Sequence, residues 1–106
     1  MARKKLDTLT EQMYYVLLAL RTERHGYGVM QYITELTAGR VNVGAGTLYA
    51  LLDRFEKDKL IERTRSEESR KYYQLTEEGE RMLRTEYDRI RRQAADMERA
   101  LRGDRG

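Results

Sequence analysis

Apolar residues recur along most of this chain with the period of an α-helix. The clearest case is 46–58, which predicts a short helix with one apolar face. Its apolar positions are spaced i, i+3, i+4 and i+7: Leu48, Leu51, Leu52 and Phe55. The opposite face combines small, hydrogen-bonding and charged residues: Gly46, Thr47, Tyr49, Ala50, Asp53, Arg54 and Lys57. A helix that only packs into a core has no need of such a face, which therefore indicates a surface that meets a polar partner.

Two further helices are predicted ahead of this one. Thr8 to Glu11 fits a capping box, in which the hydroxyl and the carboxylate each bind a free backbone N–H, so the first helix should begin near Thr8. Its buried stripe is Leu9, Met13, Val16, Leu17 and Leu20. After the interruption Arg24-His25-Gly26, a second helix is expected over 27–38, with Gly39 as its stop. Its inward positions are Val29, Ile33 and Leu36.

The segments on either side of the third helix favour short strands. Arg40 to Val43 alternates and predicts a very short strand before that helix. After it, 60–65 and 71–75 predict two strands joined by the polar loop 66–70, which has hairpin length. Thr76 then caps a long final helix.

The predicted order of elements is helix, helix, short strand, helix, hairpin, helix. Three helices with a hairpin after the third are the parts of a winged helix-turn-helix. The chain is therefore predicted to be mainly α with a small β-hairpin, and to form one structural unit. Within it we assign 1–75 to a DNA-binding domain and 76–106 to a C-terminal dimerisation helix. In this fold the third helix enters the major groove of DNA, a role that the polar face of 46–58 fits.

The final helix carries a heptad pattern. Apolar residues spaced 4, 3, 4, 3 and 4 form a seam of almost three heptads: Leu83, Tyr87, Ile90, Ala94, Met97 and Leu101. A helix that extends this far from a small domain cannot bury the whole seam against it. We expect a second copy of the chain to cover the seam, which also suits a palindromic DNA site. The alternative is a tail that folds back onto its own domain.

Charge is unevenly distributed along the chain. The 106 residues carry a net charge of +3, and 76–106 contain equal numbers of acidic and basic side chains, so the excess lies in 1–75. Basic residues cluster there at two places: Arg3, Lys4 and Lys5, and then Arg63, Arg65, Arg70 and Lys71. Local basic patches favour a polyanionic partner, although ordinary solvated surface is the alternative. The first cluster could form a disordered arm that adds nonspecific affinity for DNA.

Chemistry other than binding has little support. The chain has no cysteine and one histidine, His25, so neither a cysteine nucleophile nor a metal site is predicted. No glycine-rich nucleotide-binding motif occurs, and we expect no cofactor and no enzymatic activity. The longest apolar run, Val16 to Leu20, is too short to span a bilayer, and no secretory signal is apparent. A cytoplasmic location is therefore expected.

Five motifs occur in a fixed order: His25-Gly26-Tyr27-Gly28, Gly46-Thr47-Leu48-Tyr49, Arg54-Phe55-Glu56-Lys57-Asp58, Leu60-Ile61 and Arg70-Lys71-Tyr72-Tyr73-Gln74-Leu75-Thr76-Glu77-Glu78-Gly79. Together they resemble the PadR family of bacterial transcriptional regulators, over about residues 9–85. The single C-terminal helix resembles the shorter PadR subfamily. The resemblance implies a dimeric winged helix-turn-helix repressor whose last helix packs against the partner's first. Many members have Ser or Asn, then Pro, where this chain has Gly44 and Ala45, and a Pro at Ala50, which leaves the base preference open.

The resemblance also places the first helix at the dimer interface. Met13 and Leu17 would then join Leu83, Tyr87, Ile90, Ala94, Met97 and Leu101 in that interface. Some relatives bind aromatic or otherwise lipophilic small molecules there or nearby, and methionine and tyrosine provide an adaptable lining and a stacking surface. The candidate effector residues are Met13, Tyr14, Tyr15, Leu17, Ala94 and Met97. The alternative is that these residues form only the dimer core.

The candidate DNA contacts lie on the third helix, the second helix and the hairpin tip: Tyr27, Gly46, Thr47, Tyr49, Ala50, Asp53, Arg54, Arg70 and Lys71. Thr47 and Tyr49 bring hydroxyls to the start of a helix, where phosphate is favoured, although Tyr49 could instead be a half-buried packing residue. Arg54 could reach a phosphate or a guanine edge, or pair with Asp58 at i+4. Asp53 could accept from a cytosine amine or lie off the groove.

The hairpin tip has two interpretations as well. Arg70 and Lys71 are candidates for minor-groove or flanking phosphate contacts. Glu67 and Glu68 at the same tip favour a loop that only adds solubility. Tyr73 shares a strand face with Leu75 and is expected to pack.

The sequence thus predicts a sequence-specific, dimeric DNA-binding regulator without enzymatic activity. Its expected partners are a palindromic double-stranded operator, a second copy of the chain and a small lipophilic or aromatic effector that relieves repression, with no membrane. The rival interpretation is a winged-helix module that binds another protein. Such a module would bind DNA weakly and with little dependence on salt, whereas a DNA binder loses affinity steeply as salt rises.

Overall fold

The computed structural model describes residues 8–103, and the predicted basic arm Arg3–Lys5 lies outside them. Within that range the elements are α1 (Glu11–Ala19), β1 (Arg24–His25), α2 (Gly26–Leu36), α3 (Ala45–Lys57), β2 (Ile61–Glu67), β3 (Arg70–Leu75) and α4 (Glu77–Gly103). The strands form one antiparallel sheet in the order β1-β3-β2. The predicted fold class, a mainly α winged helix-turn-helix with a small hairpin and a long C-terminal helix, is confirmed.

Helices α1, α2 and α3 share one apolar core that the sheet closes. Its best-shielded members are 1% exposed or less, and they lie on all three helices and at Leu20, directly after α1. They include Val16, Leu17, Leu20, Val29, Ile33, Leu48, Leu52 and Phe55. Leu51, the remaining apolar position predicted for α3, packs partly buried at the edge. This packing fixes the rotation of α3 about its axis, because burying one face leaves the polar face in solvent.

The helix ends differ in part from the predictions. Thr10, not Thr8, caps α1: the Met13 N–H donates to Thr10 Oγ1 at 3.2 Å. The capping box fails because Glu11 is then the first residue of the helix rather than the third, and its carboxylate pairs with Arg40 at 3.0 Å. Helix α2 ends at Leu36, which is 51% exposed rather than inward. Gly39 then adopts a φ of +80° and completes the predicted stop.

The short strand lies elsewhere than predicted. Residues 40–43 form an irregular connection, in which Val41 and Val43 are 4% and 6% exposed. The alternating pattern at 40–43 therefore arises because two valines are buried, and not because the segment pairs as a strand. The strand that completes the sheet is β1, whose His25 pairs with Tyr72 of β3. Two residues are too few for a periodicity argument to detect.

The hairpin is tighter than the predicted five-residue loop. Strands β2 and β3 stay paired out to Glu67 and Arg70, leaving only Glu68 and Ser69 as the turn. Both turn residues have positive φ, 50° and 68°, which is the geometry of a type I′ hairpin turn. The wing therefore ends in a compact tip with Arg70 on its returning strand.

The start of α4 is fastened to the domain. The Thr76 hydroxyl donates to Lys59 O at 2.7 Å and accepts from the Gly79 N–H at 3.1 Å, which confirms Thr76 as the cap. A Cβ on Gly79 would lie 2.1 Å from Leu60 O, so only glycine permits this approach. Beyond Arg89 every described residue of α4 is exposed. The C-terminal half of the helix thus projects from the domain.

Candidate nucleic-acid interface

The polar face of α3 is exposed as predicted. Gly46, Thr47, Ala50 and Asp53 are exposed, and Tyr49 is 54% exposed. Gly44 is the N-cap of α3 and makes no side-chain cap hydrogen bond. The positive end of the helix dipole is therefore open to solvent beside these side chains, where it favours an anion.

Ion pairs modify the two charged candidates on this helix. The Lys57 ammonium lies 3.1 Å from the Asp53 carboxylate, which offsets the repulsion between Asp53 and a phosphate. Arg54 Nε lies 3.6 Å from Asp58 Oδ2, so the i+4 pairing considered for Arg54 is present. That Nε is buried and makes no hydrogen bond among the described residues. A carboxylate thus competes with DNA for the Arg54 guanidinium.

A cleft of about 270 Å³ lies between the start of α2, the first turns of α3 and the wing tip. Four of the predicted DNA contacts come together in its wall: Tyr27, Tyr49, Arg70 and Lys71. The other lining residues are His25, Gly26, Ser69 and Tyr73. Tyr73 is 7% exposed and packs, as predicted. A Cβ on Gly26 would lie 2.6 Å from the Tyr49 hydroxyl oxygen, so glycine there lets Tyr49 approach the start of α2. Tyr49 therefore packs against the start of α2 and leaves the rest of its side chain exposed.

His25 is a cleft residue whose role the sequence did not reveal. It is the N-cap of α2, and the Gly28 N–H donates to its Nδ1 at 3.1 Å. Its Nε2 lies 3.4 Å from Arg70 Nη1, and its ring meets the Tyr72 ring edge to face at 5.2 Å. Burial lowers the pKa of His25, and the nearby cations Arg70 and Arg65 lower it further. The signal for this role in the sequence is a side chain with a hydrogen-bond acceptor directly before a helix.

The wing carries both neutralised and available cations. Arg65 stacks on the Tyr72 ring at 3.8 Å and pairs with Glu23 and Glu67 at 3.2 and 2.7 Å. The Glu67 carboxylate is therefore paired with Arg65 and not with Arg70 or Lys71. Among residues 8–103 no carboxylate pairs with Arg70 or Lys71, both of which are exposed. Their charges remain available at the mouth of the cleft.

The predicted dimer residues divide between core and surface. Leu17 is fully buried and Leu83 is 4% exposed, so both pack within one chain and offer almost nothing to a partner. This corrects the assignment of Leu83 to the interface, because a heptad pattern does not distinguish the domain-facing start of a seam from its free end. It also corrects the assignment of Leu17, which rested on the resemblance, because Leu17 faces the core of its own domain. Tyr87, Ile90, Met97 and Leu101 remain 41% to 59% exposed. Ala94 is also exposed, and Met13 is half-buried.

The predicted effector residues are not brought together within one chain. A cleft of about 190 Å³ between α1 and α4 is lined by Tyr14 and Tyr87 among others. Burial raises the pKa of Tyr14, and Tyr15 and Tyr87 add to the rise. Leu17 is in the core, while Ala94 lies seven residues beyond Tyr87, about 10 Å further along the helix. Ala94 and Met97 of the same chain therefore do not line this cleft.

Glu86 is a buried charge on α4 that the sequence pattern does not reveal. It is 1% exposed, and its carboxylate accepts from the Leu9 N–H at 2.7 Å and from Arg89 at 3.0 and 3.1 Å. Hydrogen bonds from Arg89 lower the pKa of Glu86, although burial opposes this, and the Leu9 N–H contributes in the same direction as Arg89. Glu86 thus joins the entry of α1 to α4.

A three-helix core, a twisted hairpin and an exposed third helix beside a cationic cleft define a winged helix-turn-helix protein. The chain belongs to the transcriptional regulator PadR-like family, whose model matches residues 16–85. Members of this family are transcriptional regulators that act on DNA rather than enzymes. In residues 8–103 no helix is long and apolar enough to cross a membrane, and no cluster of side chains could hold a metal ion.

Comparison with individual proteins agrees with this assignment. A Lysinibacillus sphaericus protein, "Uncharacterized protein X", is 36% identical over 70 residues, 62% of this chain and 64% of its own length. A PadR family transcriptional regulator from Eggerthella lenta is 29% identical, with a TM-score of 0.71 over 85% of this chain and 80% of that one. A PadR-like transcriptional regulator from Bacillus cereus is 25% identical, with a TM-score of 0.70 over 85% and 90%.

Proposed function

We propose that this chain is a homodimeric repressor whose two winged helix-turn-helix heads bind a palindromic operator in double-stranded DNA. The observation that carries the proposal is the exposed polar face of α3, which adjoins the cationic cleft at the wing. Family membership supports DNA binding as the mode of regulation. Repression follows from occluding a promoter, and the protein acts in the cytoplasm.

In the proposed complex α3 lies in the major groove and the wing lies beside it. Gly46 and Ala50 let the helix backbone approach the bases, while Thr47 and Tyr49 offer hydroxyls to phosphates or base edges. The Tyr27 hydroxyl, Arg70 and Lys71 contact flanking phosphates from the rim of the cleft: they provide affinity and orientation rather than sequence preference.

The proposed dimer forms through the projecting part of α4. Its exposed seam is Tyr87, Ile90, Ala94, Met97 and Leu101, and Met13 at the edge of α1 extends it. Covering this apolar stripe with a second copy removes it from water, which is the main driving force for such contacts. We retain the division into a DNA-binding domain over 1–75 and a dimerisation helix over 76–106.

We propose that a lipophilic or aromatic effector acts where the two chains meet. Tyr14 of one chain is half-buried in the cleft between α1 and α4, and Tyr15, also half-buried, contacts Arg40. Ala94 and Met97 of the same chain are too far away, so they complete such a site only if the partner's helix brings them there. A bound effector would change the spacing of the two heads and thereby lower the affinity for the operator.

Selection of sheared genomic DNA on the purified protein, followed by binding of the enriched fragments across a salt series, tests the function. We expect enrichment of one palindromic site and a steep fall in affinity with salt, because phosphate contacts release counterions. Weak binding without enrichment, and with little salt dependence, would instead favour the protein-interaction module. Operator affinity is then measured in the presence of phenolic and of cationic lipophilic compounds. A compound that changes this affinity supports the proposed effector, and no change across both panels contradicts it.

Two substitutions test the contact face. Tyr49→Ala and Arg54→Ala should each weaken operator binding by about 5- to 100-fold, the range for a lost specific contact. Arg40→Gln is the matched control, because Arg40 pairs with Glu11 and the Tyr15 hydroxyl and is not among the proposed contacts. Sedimentation should show all three variants to be dimers. Unchanged DNA affinity in both contact variants would contradict the proposed face.

A further inference from the structure

We propose that His25 and Arg70 together form a two-donor site for one phosphate oxygen, and that in the DNA complex this oxygen belongs to the backbone of the operator. The site lies in the cleft between the start of α2, α3 and the wing. That the phosphate belongs to DNA rests on the proposed function. That the two side chains can bind an anion rests only on their geometry. This adds His25 to the DNA-binding residues, since it is not among the contacts predicted from the sequence.

The tautomer of His25 follows from its contact with α2. The Gly28 N–H can only donate, and it points at His25 Nδ1 from 3.1 Å, so Nδ1 must be the acceptor nitrogen. A neutral imidazole has one acceptor nitrogen and one N–H. The proton of neutral His25 therefore lies on Nε2, which faces the wing.

The group that faces this N–H is also a donor. Arg70 Nη1 lies 3.4 Å from His25 Nε2, and a guanidinium has no acceptor. The His25 Nε2–H and the Arg70 guanidinium are thus two neighbouring donors without an acceptor between them. An anionic oxygen in contact with both would accept a hydrogen bond from each. The lowered pKa of His25 agrees with this geometry, because burial and the adjacent cations disfavour a second positive charge.

The surroundings of the pair favour an anion over a cation. Lys71, Tyr27 and Tyr49 line the same cleft, and their ammonium and hydroxyl groups are further donors. Of the carboxylates around the wing, Glu23 and Glu67 are both paired with Arg65. Glu68, in the two-residue turn, is not among the residues that line the cleft. A phosphate that enters the cleft therefore meets two cationic side chains and no carboxylate among the residues that line it.

The pair is also held in place before any ligand arrives. His25 is fixed by pairing with Tyr72 of β3, by the ring contact with Tyr72 and by capping α2. Arg70 is the first residue of β3, directly after a two-residue turn. A phosphate at this point would connect the helix-turn-helix to the wing, which sets the angle of the wing on DNA.

His25→Asn separates the two roles of the imidazole. Asparagine is a favoured N-cap whose side-chain oxygen can accept from the Gly28 N–H, so α2 keeps its cap but loses the second donor. Above about pH 7.5, where His25 is neutral, we expect this variant to bind duplex DNA roughly 3- to 10-fold more weakly, as for one lost hydrogen bond, with the salt slope unchanged. Arg70→Gln should weaken binding and lower the slope by about 0.9 per protomer. Arg40→Gln is again the control.

Because His25 is the one histidine in the chain, its imidazole nitrogens give a unique NMR reporter. We would titrate the full-length protein at low salt with a short duplex of arbitrary sequence, and separately with inorganic phosphate. The free protein should show protonation at Nε2, and the Nε2 signal should shift when the duplex binds. Duplex binding that leaves this signal and the His25→Asn affinity unchanged overturns the site and leaves the proposed function standing.

If neither the arbitrary duplex nor any selected genomic fragment binds, the proposed function is refuted, and the titration with inorganic phosphate then decides whether the site exists. A shift of the His25 signal with inorganic phosphate, lost in Arg70→Gln, would support an anion site that serves a free phosphate. Absence of any shift with either probe would overturn the site altogether.

Discussion

Glu86 shows at the residue scale how one buried charge can join distant segments. It lies 77 positions along the chain from Leu9, yet the two meet at 2.7 Å. A buried carboxylate needs partners, and the Leu9 N–H with the Arg89 guanidinium supplies them. Nothing in the polar run around Glu86 distinguishes it from its exposed neighbours, because its burial depends on where the entry to α1 passes.

Glu86→Gln should remove a pH dependence of stability. The pKa of Glu86 lies below its ordinary value of 4.5, so its contribution is present above that value and lost as the pH falls through the folded-state pKa. Near neutral pH we expect Glu86→Gln to lower the free energy of unfolding by about 1–3 kcal/mol. Urea unfolding at a series of pH values measures both effects. Equal stability loss on acidification in both proteins would contradict this assignment.

At the element scale, α3 shows that a helix can be placed well by its own pattern. Its bounds differ by one residue from the predicted 46–58, because its apolar face is complete within the helix itself. Strand β1 is the opposite case, since two residues become a strand only when β3 lies beside them. Local patterns therefore predict long elements, whereas short ones depend on their neighbours.

Gly46→Ala should separate the stability of α3 from its function. No atom lies within 4 Å of the position that a Cβ would occupy on Gly46, so the substitution fits. Alanine in place of glycine within a helix should stabilise the fold by about 0.5–1 kcal/mol. The added methyl group faces the proposed groove and should weaken operator binding about tenfold or more. A stabilised variant with undiminished DNA affinity would place the groove elsewhere; thermal unfolding and fluorescence anisotropy provide the two readouts.

At the scale of the whole molecule, the shape of the chain argues for a partner. Its extents are 61 × 38 × 22 Å, because the far half of α4 projects from the domain. The exposed Tyr87, Ile90, Met97 and Leu101 form a stripe along that projection. A single chain leaves this stripe in water, and a second copy offers the matching surface.

Ala94→Asp and Ala95→Asp form a matched pair that tests the dimer. Both residues are exposed in the single chain, but only Ala94 lies on the seam, and its neighbour is turned by about 100°. Ala94→Asp should raise the dimer dissociation constant by about 10- to 100-fold, because it buries an unpaired charge. Ala95→Asp should leave the dimer intact. Analytical ultracentrifugation distinguishes the two, and equal effects would reject the seam as the interface.

The sequence by itself determined the helices with complete apolar faces, the hairpin, the cap at Thr76 and the exposed face of α3, because each follows from periodicity or from a local hydrogen bond. Only the tertiary structure decided that Leu17 and Leu83 belong to the core, and that Glu86 is buried. It also placed His25 against Arg70, 45 residues further along the chain. Contacts between distant segments depend on packing geometry, which no local pattern contains.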